Sequence, residues 1–175
     1  MRKLKNEELN RKTLAEFKRS RKIPITIVLD NVRSALNVGS IFRISDAFMI
    51  EEVILCGITA SPPNKDIRKV ALGSTLSVKW RKYNETLNAI IDLKNKGYHI
   101  VGVEQTEGST DLKKFNPVKL PIAIIFGHEV NGVSQKVINK CDEVLEIAQY
   151  GTKHSLNISV SAGITIWEIT KKLIN

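Results

Sequence analysis

The sequence predicts an α/β fold, a mostly parallel sheet with helices on both faces, and three observations predict it. Short apolar runs alternate with helical patterns along nearly the whole chain. At 175 residues and 42% hydrophobic content, the chain can fill the core of one domain. Three strand-like runs lead through a glycine-containing loop straight into a helix, which places those loops at the carboxyl ends of the strands, where such sheets bind ligands.

The elements read in order. Residues 6–20 predict a helix, with Asn6 as N-cap, Glu7 and Glu8 in the first turn, and Lys18 and Arg19 near the end, each favourable to the helix dipole. Leu9, Thr13 and Phe17 recur every four residues as a thin docking stripe, and Pro24 closes the segment. Residues 24–29 (PITIVL) read as a buried strand, 38–49 as a helix and 52–56 as a second strand. A short helix over 65–72 precedes a strand over 78–83. Asn84 caps a helix that runs through Lys96, with Gly97 as its stop. Strands follow over 98–103 and 121–126, a helix over 133–140, a strand over 143–147, and a closing helix over 155–172. That last helix carries apolar residues on more than one side, as a helix buried in a domain or a dimer interface does.

Composition narrows the class. Cys56 and Cys141 make no disulfide framework, and three scattered histidines (His99, His128, His154) show no ligand spacing, so no metal is expected. The N-terminus is charged and lacks the apolar stretch of a signal peptide, and no apolar run reaches the ~18 residues of a membrane span. The expectation is a cytoplasmic protein with no membrane partner. Net charge is +9, and residues 1–22 hold nine Lys or Arg against three acids, a net +6 in one short segment. Such an arm attracts polyanions, nucleic acid among them; a face charged only for solubility is the plain alternative. Trp80 and Trp167 read as packing residues.

Chemistry concentrates in three loop clusters. In the first, NVRSALNVGSIFR, Asn37 and Gly39 suit a tight turn, and Arg43 is expected on the first turns of the following helix, where a guanidinium forks onto an oxyanion. In the second, IIFGHEVNG, Gly127 lets a ligand approach the backbone, Gly132 suits a positive φ, and Glu129 can anchor an arginine or a hydroxyl. In the third, IAQYGTKHSLNISVSA, Ser155 reads as the helix N-cap and Asn157 as a first-turn amide pointing into the same crevice. Each cluster taken alone also reads as an ordinary strand-to-helix turn. A Ser155–His hydrolase arrangement is disfavoured, because there is no G-x-S-x-G elbow.

Together, NVGSIFR, IIFGHEVNGVS and GTKHSLNISVSAGI resemble, in order and across about residues 25–169, the three motifs of the SpoU/TrmH family of RNA 2′-O-ribose methyltransferases, of the SPOUT superfamily. The resemblance implies a C-terminal trefoil knot, S-adenosylmethionine as cofactor, structured RNA (tRNA or rRNA) as substrate, and a homodimer with each active site near its interface. It divides the chain into a basic N-terminal helical extension, 1–22, and a SPOUT methyltransferase domain, 23–175. By position, Arg43 matches the catalytic arginine, supported by Asn37 and Glu129, with Ser155 and Asn157 completing the pocket. Val103, Glu104, Gly127, Ile147 and Leu156 match cofactor contacts, many of them through backbone. Relatives have Ile-Pro-Met where this chain has Ile147-Ala148-Gln149, which alters the loop beside the cofactor. A guanidinium with pKa above ~12 resists deprotonation, so Arg43 is expected to stabilise an oxyanion and grip phosphate rather than act as a base. A non-catalytic RNA-binding relative and a base methyltransferase are the alternatives.

Overall fold

The computed structural model describes residues 1–174. Seven parallel strands form one sheet in the order β3-β2-β1-β6-β4-β7-β5. Strand β1 (Ile23–Asp30) lies between β2 (Ile50–Cys56) and the central strand β6 (Ile122–Phe126). Beyond them lie β3 (Lys79–Tyr83), β4 (His99–Val103), β7 (Glu143–Glu146) and the two-residue β5 (Thr110–Asp111), an edge strand the sequence does not announce.

Alternation along β1 builds two cores. Ile25, Ile27 and Leu29 face one side, where they pack with Val38, Ile41 and Phe42 of α2 (Ala35–Ala47), Ile67 of α3 (Lys65–Ala71), and Ile158, Ala162 and Ile166 of α7 (Ile158–Ile174). Val28 faces the other side with Ile54, Ile100 and Ile125, under Ala89, Ile90 and Leu93 of α5 (Thr86–Asn95) and Val137 of α6 (Gln135–Ile138). Residues at i and i+2 of a strand point to opposite faces from i+1, so one apolar run feeds both layers. The α/β class and the helix-covered parallel sheet are as expected.

Local signals moved several boundaries. The helix expected over 6–20 is broken: a 3₁₀ turn (Asn6–Leu9) ends at Asn10 with φ +47°, and α1 spans only Leu14–Arg19. Thr13, not Asn6, caps α1. Its hydroxyl accepts from the Glu16 amide while the Glu16 carboxylate takes the Thr13 N–H at 2.7 Å, a reciprocal capping box. The expected stripe therefore reduces to Phe17, buried under the Lys22 ammonium, and Pro24 sits inside β1. Asn84 is not a cap, since Glu85 holds that position without a side-chain bond; Gly97 does end α5, at φ +79°. A one-turn helix, α4 (Ser74–Ser77), was not expected. Trp80 is half-buried against the core, but Trp167 is 57% exposed, its edge against Phe48 at 6.0 Å. Near the end of α7, the Lys172 ammonium donates to the carbonyls of Leu112, Lys113 and Phe115 at 3.2, 2.9 and 2.8 Å and pairs with Glu168 at 3.1 Å.

Candidate active site

All seven strands are parallel, so their carboxyl ends share one edge of the sheet, and the three loop clusters meet there. The Glu129 carboxylate, after β6, accepts the backbone N–H of Arg33 at 2.9 Å and of Ser34 at 2.8 Å, and the Asn37 side-chain amide at 3.0 Å. Asn37 in turn accepts from the Asn157 side chain at 3.2 Å. One hydrogen-bonded chain, Glu129–Asn37–Asn157, thus ties the loops after β6, β1 and β7 together.

Glu129 sits at the amino end of α2, where free N–H groups favour an anion. Burial works against its charge, but the N–H donors of Arg33 and Ser34 and the Asn37 amide prevail and hold its carboxyl below the usual carboxylate range. It therefore serves as a fixed anion that holds the first turn of α2. Among the described residues its partners are backbone N–H groups and the Asn37 amide, with no arginine side chain.

The helix starts differ from expectation, and the difference matters. Ser34, not a turn at Asn37–Gly39, caps α2, which puts Asn37 on the first turn and Arg43 on the third, exposed and outside the cavity lining. Gly39 lies inside the helix, where an added Cβ would stand 2.6 Å from the Ile67 carbonyl oxygen; it is there for the close crossing of α2 and α3. At α7 the cap is Asn157, not Ser155: its Oδ1 accepts from the Ser159 N–H at 2.9 Å and the Ser159 hydroxyl at 2.6 Å. These bonds fix the Asn157 amide. With its oxygen occupied and one N–H given to Asn37, the group it has left for a ligand is a single N–H donor.

Beside this chain lies a cavity of about 680 Å³, within the range of small-molecule sites. Val103, Glu104, Gly127, Ile147 and Leu156 all line it, as do Glu129, Ser155 and Asn157. Asn37, outside the lining, holds two of its residues, Glu129 and Asn157, by hydrogen bonds. Two of the cavity residues also brace the loops that form it. Gly127 is required by the fold, because a Cβ there would stand 2.1 Å from the Gly132 carbonyl carbon. Glu104 directs its carboxylate to the N–H groups of Val133 at 2.9 Å and Gln105 at 2.9 Å, bracing the second loop. Gly132 does take a positive φ, +64°.

Other contributors are less visible in sequence. Asp30, a buried acid ending the apolar run of β1, accepts from the Asn31 side chain at 2.9 Å and the Ser134 N–H at 3.2 Å. Gln105 donates to the His154 carbonyl at 2.7 Å, bridging the loops after β4 and β7. The His128 ring nitrogen accepts from the Val130 N–H at 3.0 Å, which removes it as a base for Ser155. Burial pushes the Cys56 and Cys141 thiols up to about 12 and about 11, so both are inert. No cluster of three metal-ligating side chains occurs among the described residues, nor a helix long and apolar enough to cross a membrane.

Comparison with known proteins finds the same architecture. A profile of the SpoU rRNA Methylase family matches residues 24–167. A protein of Staphylococcus saprophyticus named for the TrmH family of tRNA/rRNA methyltransferases is 31% identical over 159 residues, 91% of this chain and 63% of that protein. A counterpart from Staphylococcus haemolyticus is 30% identical over 146 residues, 83% of this chain and 58% of its own length. The chain thus spans about three fifths of these curated relatives. Among solved structures, an A. aeolicus TrmH/SpoU tRNA modifying enzyme superposes with TM-score 0.81 at 26% identity, over 91% of this chain and 80% of that one. An AdoMet-bound rRNA methyltransferase from Sinorhizobium meliloti shares the fold at TM-score 0.82 and 24% identity, over 89% and 58% of the two chains.

Proposed function

The chain belongs to the SpoU rRNA methylase family, and from that premise we propose that it transfers a methyl group from S-adenosylmethionine to a ribose 2′-hydroxyl of a structured RNA. The observation that carries the reading is the Glu129–Asn37–Asn157 chain set beside a cavity lined by the loops after β4, β6 and β7. The relatives named for tRNA and rRNA methylation, and a structural neighbour bound to AdoMet, support the substrate class and the cofactor.

The cavity suits a nucleoside-sized cofactor. It offers the apolar side chains of Val103, Ile147 and Leu156 together with the polar backbone of glycine-containing loops. When bound, S-adenosylmethionine supplies an electrophilic methyl group and a positive charge, so this transfer requires no metal. The protein's tasks are alignment and stabilisation of charge growing on the attacking oxygen. Asn157 contributes its remaining N–H, held rigid by Ser159 and Asn37. Ser155 lends a hydroxyl at the cavity wall. Glu129 stays ionised and keeps the Asn37 amide pointed towards Asn157. Arg43 grips phosphate and stabilises the oxyanion.

We place Arg43 at a site completed by a second copy of the chain. Leu36, Val160, Ile164 and Trp167 leave an apolar face open on α2 and α7, 47%, 49%, 39% and 57% exposed, and Arg43 is exposed on the same α2. A monomer seldom exposes such a face without a partner, and a homodimer burying it is the arrangement we favour. The family's trefoil knot belongs to the same reading, supported by the order β1-β6-β4-β7, in which the chain crosses back over earlier strands before α7.

Calorimetry with S-adenosylmethionine, tritium transfer to RNA and nuclease mapping of the product test this function. A ribose 2′-O-methyl mark is the expected product. Cofactor binding without transfer would identify a non-catalytic RNA binder, and a methylated base would overturn the ribose assignment.

A further inference from the structure

A second cavity, of about 580 Å³, lies far from the first and is lined by Asn10, Arg11, Lys12, Glu16, Arg19 and Ser20. Three cations face it. Among the described residues none of Arg11, Lys12 and Arg19 makes an ion pair or a side-chain hydrogen bond. The one carboxylate in the lining, Glu16, is turned to its own helix, accepting the Thr13 N–H at 2.7 Å and the Thr13 hydroxyl at 2.8 Å. The capping box that breaks the predicted long helix also fixes Glu16, which remains ionised and within reach of the Lys12 charge, so three cations face a single acid across the groove.

We infer that this groove binds the phosphodiester backbone of the RNA, as a second contact remote from the methyl-transfer cavity. The inference rests on the RNA substrate proposed above and adds to it a requirement of length. The groove lies just before the amino end of β1 and the cavity at the carboxyl ends of the strands. Eight strand residues separate these ends by roughly 26 Å, at ~3.3 Å per residue. A folded RNA reaches both places. A mononucleotide or a very short oligonucleotide reaches one.

The test uses the full chain and fluorescently labelled, unfractionated tRNA, with binding followed by anisotropy between low and moderate salt. Replacing Arg11, Lys12 and Arg19 by alanine is expected to weaken binding about tenfold or more and to flatten the log–log salt slope by about 2, as removal of three phosphate contacts does. S-adenosylmethionine affinity, read by calorimetry, is expected to stay unchanged. A charge-matched control replaces Lys65, Arg68 and Lys69, exposed charged residues of α3, by alanine. An unchanged salt slope in the groove variant would overturn the inference, as would an equal loss in the α3 variant, which would point to bulk charge. Failure of the unsubstituted chain to transfer methyl, while the groove variant still loses tRNA binding and salt dependence, would instead tell against the cavity's proposed chemistry and leave the groove standing.

Discussion

The side chains of Asn37 and Asn157, 120 residues apart in the chain, are joined by a 3.2 Å hydrogen bond in which Asn157 donates. Each is also tied down on its other side, Asn37 to the Glu129 carboxylate and Asn157 to the first turn of α7. Neither amide can rotate without breaking two bonds, so the donor offered to the cavity is set in place before any ligand arrives.

Substitutions at Asn157 separate its two roles. Asn157→Ala removes both the cap and the donor, and is expected to cost ~1 kcal/mol of stability together with most of the turnover. Asn157→Asp retains an oxygen for the Ser159 N–H but has no N–H to offer. It is expected to melt close to the wild type and to lose roughly 10²-fold in kcat, with S-adenosylmethionine affinity little changed by calorimetry. Parallel losses of affinity and turnover would remove Asn157 from the chemistry.

Glu129→Gln leaves three donors facing a side chain that is itself half donor. The expected cost is ~1–3 kcal/mol in urea unfolding. The pH dependence has a definite sign. The folded carboxyl lies below its ordinary 4.5, so its contribution is complete above that value and disappears as pH falls through the lower, folded one. Stability of the wild type should therefore drop more steeply below pH 4.5 than that of the glutamine variant, as paired melts across that range would show.

Arg43 is exposed and outside the cavity lining, so Arg43→Lys should leave the melting temperature within about 1 °C of the wild type, surface substitutions being nearly neutral. Turnover should nevertheless fall sharply, because an ammonium lacks the planar fork. In mixed dimers, Arg43→Ala subunits combined with Asn157→Ala subunits should regain part of the activity. Absence of recovery would place Arg43 in the service of its own subunit's cavity.

Trp167→Asp places a charge in the open apolar face of α7. Sedimentation analysis is expected to find the wild type dimeric and the variant monomeric at the same concentration, with the variant's circular dichroism spectrum retained. A wild type that sediments as a monomer would dispose of the dimer.

The sequence showed which stretches of chain converge, because three strand-to-helix loops of a parallel sheet must open on the same edge. It did not show which residue in each loop starts the helix. Ser34 and Asn37, like Ser155 and Asn157, are alternative caps separated by two or three positions, and the choice is made by partners remote in sequence. Glu129 secures the N–H groups of Arg33 and Ser34, and Asn37 engages Asn157. Residues 13–16 did carry their signal locally, since Thr13 followed three positions later by Glu16 is enough to begin a helix there. The two-residue strand β5 has too few residues to show any periodicity. The exposure of Trp167 depends on what covers α7 rather than on its place in the chain.

The Lys172 ammonium, set among the carbonyls of Leu112, Lys113 and Phe115, ties the last turn of α7 to residues 112–115, and the two are expected to open as one unit. Amide protons on these two stretches should exchange with deuterium at matching rates although about sixty residues lie between them. Lys172→Met would let each fluctuate on its own. Disturbance at the far end of the closing helix would then be felt beside β5, and through β7 in the wall of the cavity.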